Sequence, residues 1–216
     1  MQISRASLSA LFLTLAASGA HATVIDTTAS YVGDIHNFGY PDTATYGQTF
    51  TVTGTDTVLN SFSLYLNGDY TQDVRGYIGA WDGSKVTNLL YTSNTVSVSG
   101  SGTHELSFAP GGLMLTAGGT YVAFLSISEL PMQPFAYFGM PAGADSIPGQ
   151  FVFINNSTNF SQLTNTAWTT NWSGNADVWF KADLGSPVSQ VPEPTSLALA
   201  SVGLAALLGR RKAAQA

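Results

Sequence analysis

Trp168 and Trp172, in Ala167-Trp168-Thr169-Thr170-Asn171-Trp172, stand among hydroxyl and amide side chains. Aromatic faces beside Thr and Asn suit sugar rings, whose C–H faces stack while their hydroxyls find polar partners. The same two rings could instead cap a β-sheet core. Asp69, Asp73 and Asp82 flank successive turns and could supply oxygen ligands to a structural Ca²⁺, although their spacing is not that of an EF-hand loop. No other cofactor is suggested. Of three histidines, His21 falls in a segment expected to be removed, which leaves His36 and His104. The nearest approach to a metal cluster is Asp34-Ile35-His36, short of the three or four ligands that zinc requires. The chain has no Cys, which excludes thiol catalysis and thiolate ligation. It also lacks a Gly-x-Ser-x-Gly elbow, a His-Glu-x-x-His helix and a phosphate loop. Glycoside hydrolysis would need two carboxylates across a cleft. Glu105 and Glu129 are the only glutamates between the two ends, and Glu105 alternates with Leu106 and Phe108, as a solvated surface residue does. The remaining acids are aspartates in turns, where the side chain usually serves the backbone. No catalytic residue is assigned, and the expectation is a protein that is not an enzyme.

These groups must be positioned by the chain from residue 23 to 187, which is one domain's worth and long enough to bury its own core. Its strands are legible by period. Phe62, Leu64 and Leu66 alternate with Ser61, Ser63 and Tyr65; His104, Leu106 and Phe108 alternate with Glu105 and Ser107; Val178 and Phe180 alternate with Trp179 and Lys181. Such strands expose one polar face. Tyr121 to Ile127 is apolar on both sides for most of its length, as a strand covered on both faces would be. Turn signals recur at Gly54-Thr55-Asp56, Asn67-Gly68-Asp69, Asp82-Gly83-Ser84, Ser99 to Gly102, Pro110-Gly111-Gly112 and Ala117-Gly118-Gly119. Asp82-Gly83 after Trp81 fits a type I′ hairpin. No window has helical periodicity. The expectation is an all-β fold, an antiparallel β-sandwich of jelly-roll type.

Only 9% of the 216 residues are charged, against about 25% in an average protein. The central region holds twelve acidic and three basic side chains, the latter being Arg75, Lys85 and Lys181. An acidic surface with scattered cations excludes nucleic acid, which needs clustered Lys and Arg.

Both ends read as processing segments. Residues 1–22 carry Arg5, the apolar run Leu8 to Ala17 and then Ala20-His21-Ala22, the order of a secretory signal peptide with small residues at Ala20 and Ala22 for cleavage by signal peptidase. Residues 188–216 contain Val191-Pro192-Glu193-Pro194, an apolar stretch over 195–209, and a basic end opened by Arg210-Arg211-Lys212. The prolines confine helix to the residues after them. Fifteen helical residues reach about 22 Å, short of the ~30 Å hydrocarbon core, so this single C-terminal hydrophobic helix makes a marginal anchor. The basic cluster should stay cytoplasmic and stop the chain in the inner membrane, with the domain on the far side.

The ordered combination of Val-Pro-Glu-Pro, a short apolar helix and a basic terminus resembles the PEP-CTERM sorting signal of Gram-negative bacteria. That resemblance implies recognition by an exosortase, a membrane-embedded cysteine protease-transpeptidase, acting near Pro-Glu-Pro. It further implies a transient membrane stop followed by release or transfer to the envelope or extracellular matrix. The runs Tyr46 to Val52, Ser61 to Leu66, Ala80-Trp81-Asp82-Gly83 and Leu113 to Phe124 are similar to the β-sandwich domains often found in front of such tails. The first expectation is therefore an exported surface or matrix protein associated with exopolysaccharide and biofilm. The second is a carbohydrate-binding module with defined sugar specificity, and the third a glycosidase or polysaccharide lyase.

Overall fold

A computed structural model describes residues 22–41, 43–170 and 177–187. Residues 1–21 with Ala20, Trp172, and the tail from 188 onward, including Val191, Pro192, Glu193, Pro194, Arg210, Arg211 and Lys212, lie outside the described residues.

Two sheets form the domain. The larger has eight strands: β1 (Thr23–Asp26), β2 (Gly33–Phe38), β4 (Val58–Asp69), β8 (Ser101–Phe108), β9 (Leu113–Met114), β11 (Phe138–Gly143), β13 (Asp177–Val178) and β14 (Phe180–Gly185). The smaller has six: β3 (Thr45–Thr51), β5 (Gln72–Trp81), β6 (Val86–Thr92), β7 (Val96–Val98), β10 (Thr120–Ser126) and β12 (Phe151–Ile154). Its path runs β12-β3-β10-β5-β6, and that of the larger runs β1-β14-β4-β11-β13. Neighbouring strands pair antiparallel throughout. The expected all-β antiparallel sandwich is what forms. Among the described residues the one helix, α1, is the four-residue turn Gln162–Asn165.

The main core fills the space between the sheets, with Phe50, Phe62, Leu64, Leu66, Phe138 and Phe180 fully enclosed. Phe50 and Phe180 meet across the sandwich at 5.2 Å between ring centroids. A second apolar cluster lies on the outer face of the smaller sheet, where Tyr77, Val86, Val122, Phe124, Val152 and Ile154 are covered by Leu163 of α1 and by Trp168. This explains the doubly apolar strand β10. Tyr121, Ala123 and Leu125 point into the main core, while Val122 and Phe124 point under the cover.

Two local expectations are corrected. The polar side of β4 is not a solvated face at its centre, because Ser63 and Tyr65 are each 7% exposed. The Ser63 hydroxyl hydrogen-bonds that of Ser107 across the ladder at 2.7 Å, and Tyr65 is packed by Trp179 with ring centroids at 5.7 Å. The β5–β6 connection is a hairpin, but not of type I′. Only Gly83 has positive φ there, and residues 82–85 form the loop, with the Asp82 amide donating to the Lys85 carbonyl at 3.2 Å. The second positive φ is unnecessary because Asp82 Oδ1 accepts from the Lys85 amide, the Ser84 amide and the Ser84 hydroxyl at 2.8–2.9 Å. This Asx-type closure substitutes a side chain for backbone geometry. The Lys85 and Ser84 amides hold the Asp82 carboxyl below the ordinary carboxylate range.

Tyr77 yields a pH prediction. Its ring stacks on Phe124 at 4.9 Å and 9°, and its hydroxyl donates to Glu129 Oε2 at 3.3 Å. Burial, reinforced by the Glu129 charge, pushes its phenol well above the usual tyrosine value. A raised folded-state pKa contributes stability that is complete below the unfolded pKa of about 10 and is lost as pH rises above it. The melting temperature should fall on the alkaline side of about pH 10, and less steeply in Tyr77→Phe. Because Tyr65 and Tyr91 are also raised by burial, the substitution flattens that limb without removing it.

Candidate functional site

Beside the cover formed by α1 and its flanks, the outer face of the smaller sheet carries an open cleft of about 620 Å³. Its floor carries Thr49 and Thr51 of β3 and Thr120 of β10, and one wall is Trp81 with Asp82 and Gly83 of the hairpin. The opposite wall is the loop ahead of β12, through Asp145, Pro148, Gly149 and Gln150.

Strand register sets the floor. Thr51 is paired with Thr120, and their hydroxyls lie 3.2 Å apart. Ala80 is paired with Tyr121, which brings the next residue, Trp81, alongside Thr120. The Trp81 ring meets Trp168 edge to face at 5.6 Å and 79°, so the cleft wall is buttressed by the covered cluster on the same face. Trp168 itself packs on Phe124 at 5.2 Å and donates its indole N–H to the Leu163 carbonyl at 2.9 Å.

The far wall is pinned at two places. Gly149 lies so close to β3 that a Cβ there would sit 1.9 Å from the Thr49 carbonyl oxygen, a distance no side chain permits. Beside it the Gln150 amide donates to Thr49 Oγ1 at 2.9 Å. The second pin is Asp177, which is 0% exposed. Its Oδ1 accepts from Gln48 Nε2 at 2.6 Å, and its Oδ2 accepts from the Ser146 amide at 2.8 Å, the Ser146 hydroxyl at 3.0 Å and the Ile147 amide at 3.2 Å. Gln48, equally buried, returns a bond by accepting the Val178 amide at 2.9 Å. A buried carboxylate is tolerated where donors surround it, and here the donors are the loop that carries Asp145.

Of the two sequence readings of Trp168, sugar contact and core cap, the structure gives the cap. It is 4% exposed, its faces are spent on Phe124 and Trp81, and it supports the cleft without lining it. Trp172 lies outside the described residues. The proposed calcium trio is also corrected. Asp73 stands near the start of β5 and Asp82 just past its end, separated by about 30 Å of extended chain. Asp73 instead accepts from the Ser97 hydroxyl, and Asp82 closes its own turn. Asp69 ends β4. Among the described residues no three His, Asp or Glu side chains gather as a metal would require. Asp34 and His36 do flank one spot above Gly139, but Asp34 Oδ2 there accepts from Asn67 Nδ2 at 2.6 Å. Glu105 is exposed on β8, and Glu129 pairs with Arg75 at 3.5 Å.

Sequence reasoning missed Trp81 as a site residue, together with Thr49, Thr51, Thr120, Asp145 and Gln150. One signal was present: Trp81 immediately precedes the Asp82-Gly83 hairpin turn, where an aromatic ring stands at a sheet margin.

Residues 190–212 match the family described as the PEP-CTERM protein-sorting motif. The chain carries a PEP-CTERM sorting motif. That motif implies export, exosortase processing and delivery to the cell surface or exterior. A search of curated proteins finds no match. Among solved structures, the chain is similar to one of the cysteine protease and lectin-like domains of Cwp84, a surface layer associated protein of Clostridium difficile, with TM-score 0.53 and 10% identity over 77% of this chain and 36% of that one. A second structure of the clostridial cysteine protease Cwp84, after propeptide cleavage, gives TM-score 0.51 and 12% identity over 77% of this chain and 40% of that one. The chain thus spans two-fifths or less of those proteins, and the likeness is one of fold. The CBM36-1 domain of a multidomain xylanase from the hindgut metagenome of Trinervitermes trinervoides is covered fully, with 78% of this chain matched at 13% identity and a TM-score of 0.31.

Proposed function

We propose that the chain is an exported surface or matrix protein whose sandwich domain holds saccharide in the cleft beside Trp81. The observation that carries this reading is the cleft itself: a partly buried indole wall over a floor of threonine hydroxyls, open enough for a sugar ring. Indole offers the C–H face of a pyranose a flat apolar partner, and the half-buried Thr51 and Thr120 hydroxyls can donate or accept, while the enclosed Thr49 hydroxyl is spent on Gln150. The sorting motif agrees with a location where such polymers lie, in the envelope or biofilm matrix of a Gram-negative bacterium. On this reading signal peptidase removes residues 1–22, the tail rests transiently in the inner membrane, and exosortase acts near Pro192-Glu193-Pro194. The fold likeness to a structure containing a lectin-like domain adds support at the level of architecture.

Binding is the role this cleft supports best. Glycoside cleavage pairs two carboxylates across a cleft, and of the two here Asp82 spends its Oδ1 closing its own turn. Trp81→Ala should weaken binding of matrix polysaccharide by tenfold or more, about 1.4 kcal/mol, read as retardation in affinity electrophoresis against a non-binding control. Equal retardation of the parent and Trp81→Ala proteins in every polysaccharide gel would remove the cleft from consideration.

A further inference from the structure

The geometry points to amine-bearing saccharides, those with a free and protonated amino group, as the ligand class of this cleft; the inference rests on the saccharide reading above. The two carboxylates at the cleft are not equivalent. Asp82 Oδ1 is occupied by two amides and a hydroxyl, and the positive charge of Lys85 acts on the same carboxylate. Asp145 stands exposed on the facing wall. The ion pairs among the described residues are Arg75 with Glu129 and Lys181 with Asp26, so neither other cation of the domain serves Asp145.

A ligand seated between Trp81 and the far wall partly desolvates that carboxylate. A neutral sugar offers it hydroxyls alone, and an acidic sugar brings a like charge, which repels. An ammonium on a hexosamine supplies both opposite charge and several donors, and it gains again from proximity to the indole face. The twelve acidic and three basic side chains of the central region add a long-range field that draws a polycation and turns away a polyanion. Loop position matters as much as charge. Asp177 and the Gly149 contact hold the wall rigidly, so the carboxylate is placed before the ligand arrives.

The test is calorimetric titration of the full chain in detergent, at mildly acidic pH and low salt, with three tetramers: glucosamine, N-acetylglucosamine and galacturonate. The glucosamine oligomer should bind about five- to tenfold more tightly than the acetylated one, and galacturonate most weakly. Asp145→Asn, a surface change that leaves the melting temperature in place, should erase that preference. Raised salt should shrink it. If the glucosamine and acetylated oligomers bind equally, or if the preference survives in Asp145→Asn, the amine inference is overturned while saccharide binding at Trp81 stands. If no oligomer or polysaccharide binds and Trp81→Ala changes nothing, both readings fall together.

Discussion

Asp177→Ala is expected to lower the unfolding free energy by about 3–5 kcal/mol, seen as a large drop in the urea midpoint. The carboxylate is completely enclosed and is the acceptor for Gln48 Nε2, the Ser146 amide and hydroxyl, and the Ile147 amide. Removing it strands those donors in a dry interior, and each stranded donor costs about 1–3 kcal/mol. Gln48 is then held only by the Thr49 carbonyl at 3.2 Å and the Val178 amide at 2.9 Å, so of the two side-chain ties between β3 and β13 one is lost. Asp177→Asn should cost less, since one oxygen survives as an acceptor, but its new amide protons face donors and not acceptors. Saccharide affinity should fall with stability in Asp177→Ala, because the loop bearing Asp145 loses its pin. A loss below about 1 kcal/mol would mean that the loop is held by its Thr49 contacts alone.

Trp168→Ala should cost a comparable amount, about 3–5 kcal/mol, through the cavity it leaves. The indole roofs the second core cluster, touching Phe124 and Trp81 and closing α1 through the Leu163 carbonyl. Its removal uncovers the stacked Tyr77 and Phe124 rings. Trp168→Phe should recover much of the loss, since it refills most of the volume without the N–H bond. Guanidinium unfolding monitored by far-UV circular dichroism distinguishes them. Wild-type stability in Trp168→Ala would show that the cover is not part of the cooperative unit. Affinity for saccharide should weaken in this variant also, since Trp81 loses its edge-on partner.

Much of the fold is legible in local pattern because a sheet's period of two is written in consecutive residues. The doubly apolar β10 and the hairpin at Asp82-Gly83 could be placed without coordinates. The turn type could not, because the Asp82 side chain performs the closure that a second positive φ would otherwise provide. The site was legible only weakly. Thr49, Trp81, Thr120 and Asp145 lie far apart in the chain and meet through long-range antiparallel pairing, which leaves no short-range signature. Trp168 stays open between sugar contact and core cap for the same reason, until α1 and Phe124 are seen to enclose it. Asp177 is one acid among many in sequence, and only complete burial reveals its importance.

The pairing of β1 with β14, in which Thr23 faces Leu184, ties the two ends of the described domain together. β14 lies between β1 and β4, so during synthesis the first strand of the larger sheet waits for its ladder partner until nearly the whole domain has been made. The smaller sheet needs no residue beyond Ile154 and can assemble earlier. Closure of the larger sheet is therefore a late step of high contact order, and it depends on the segment that adjoins the sorting motif.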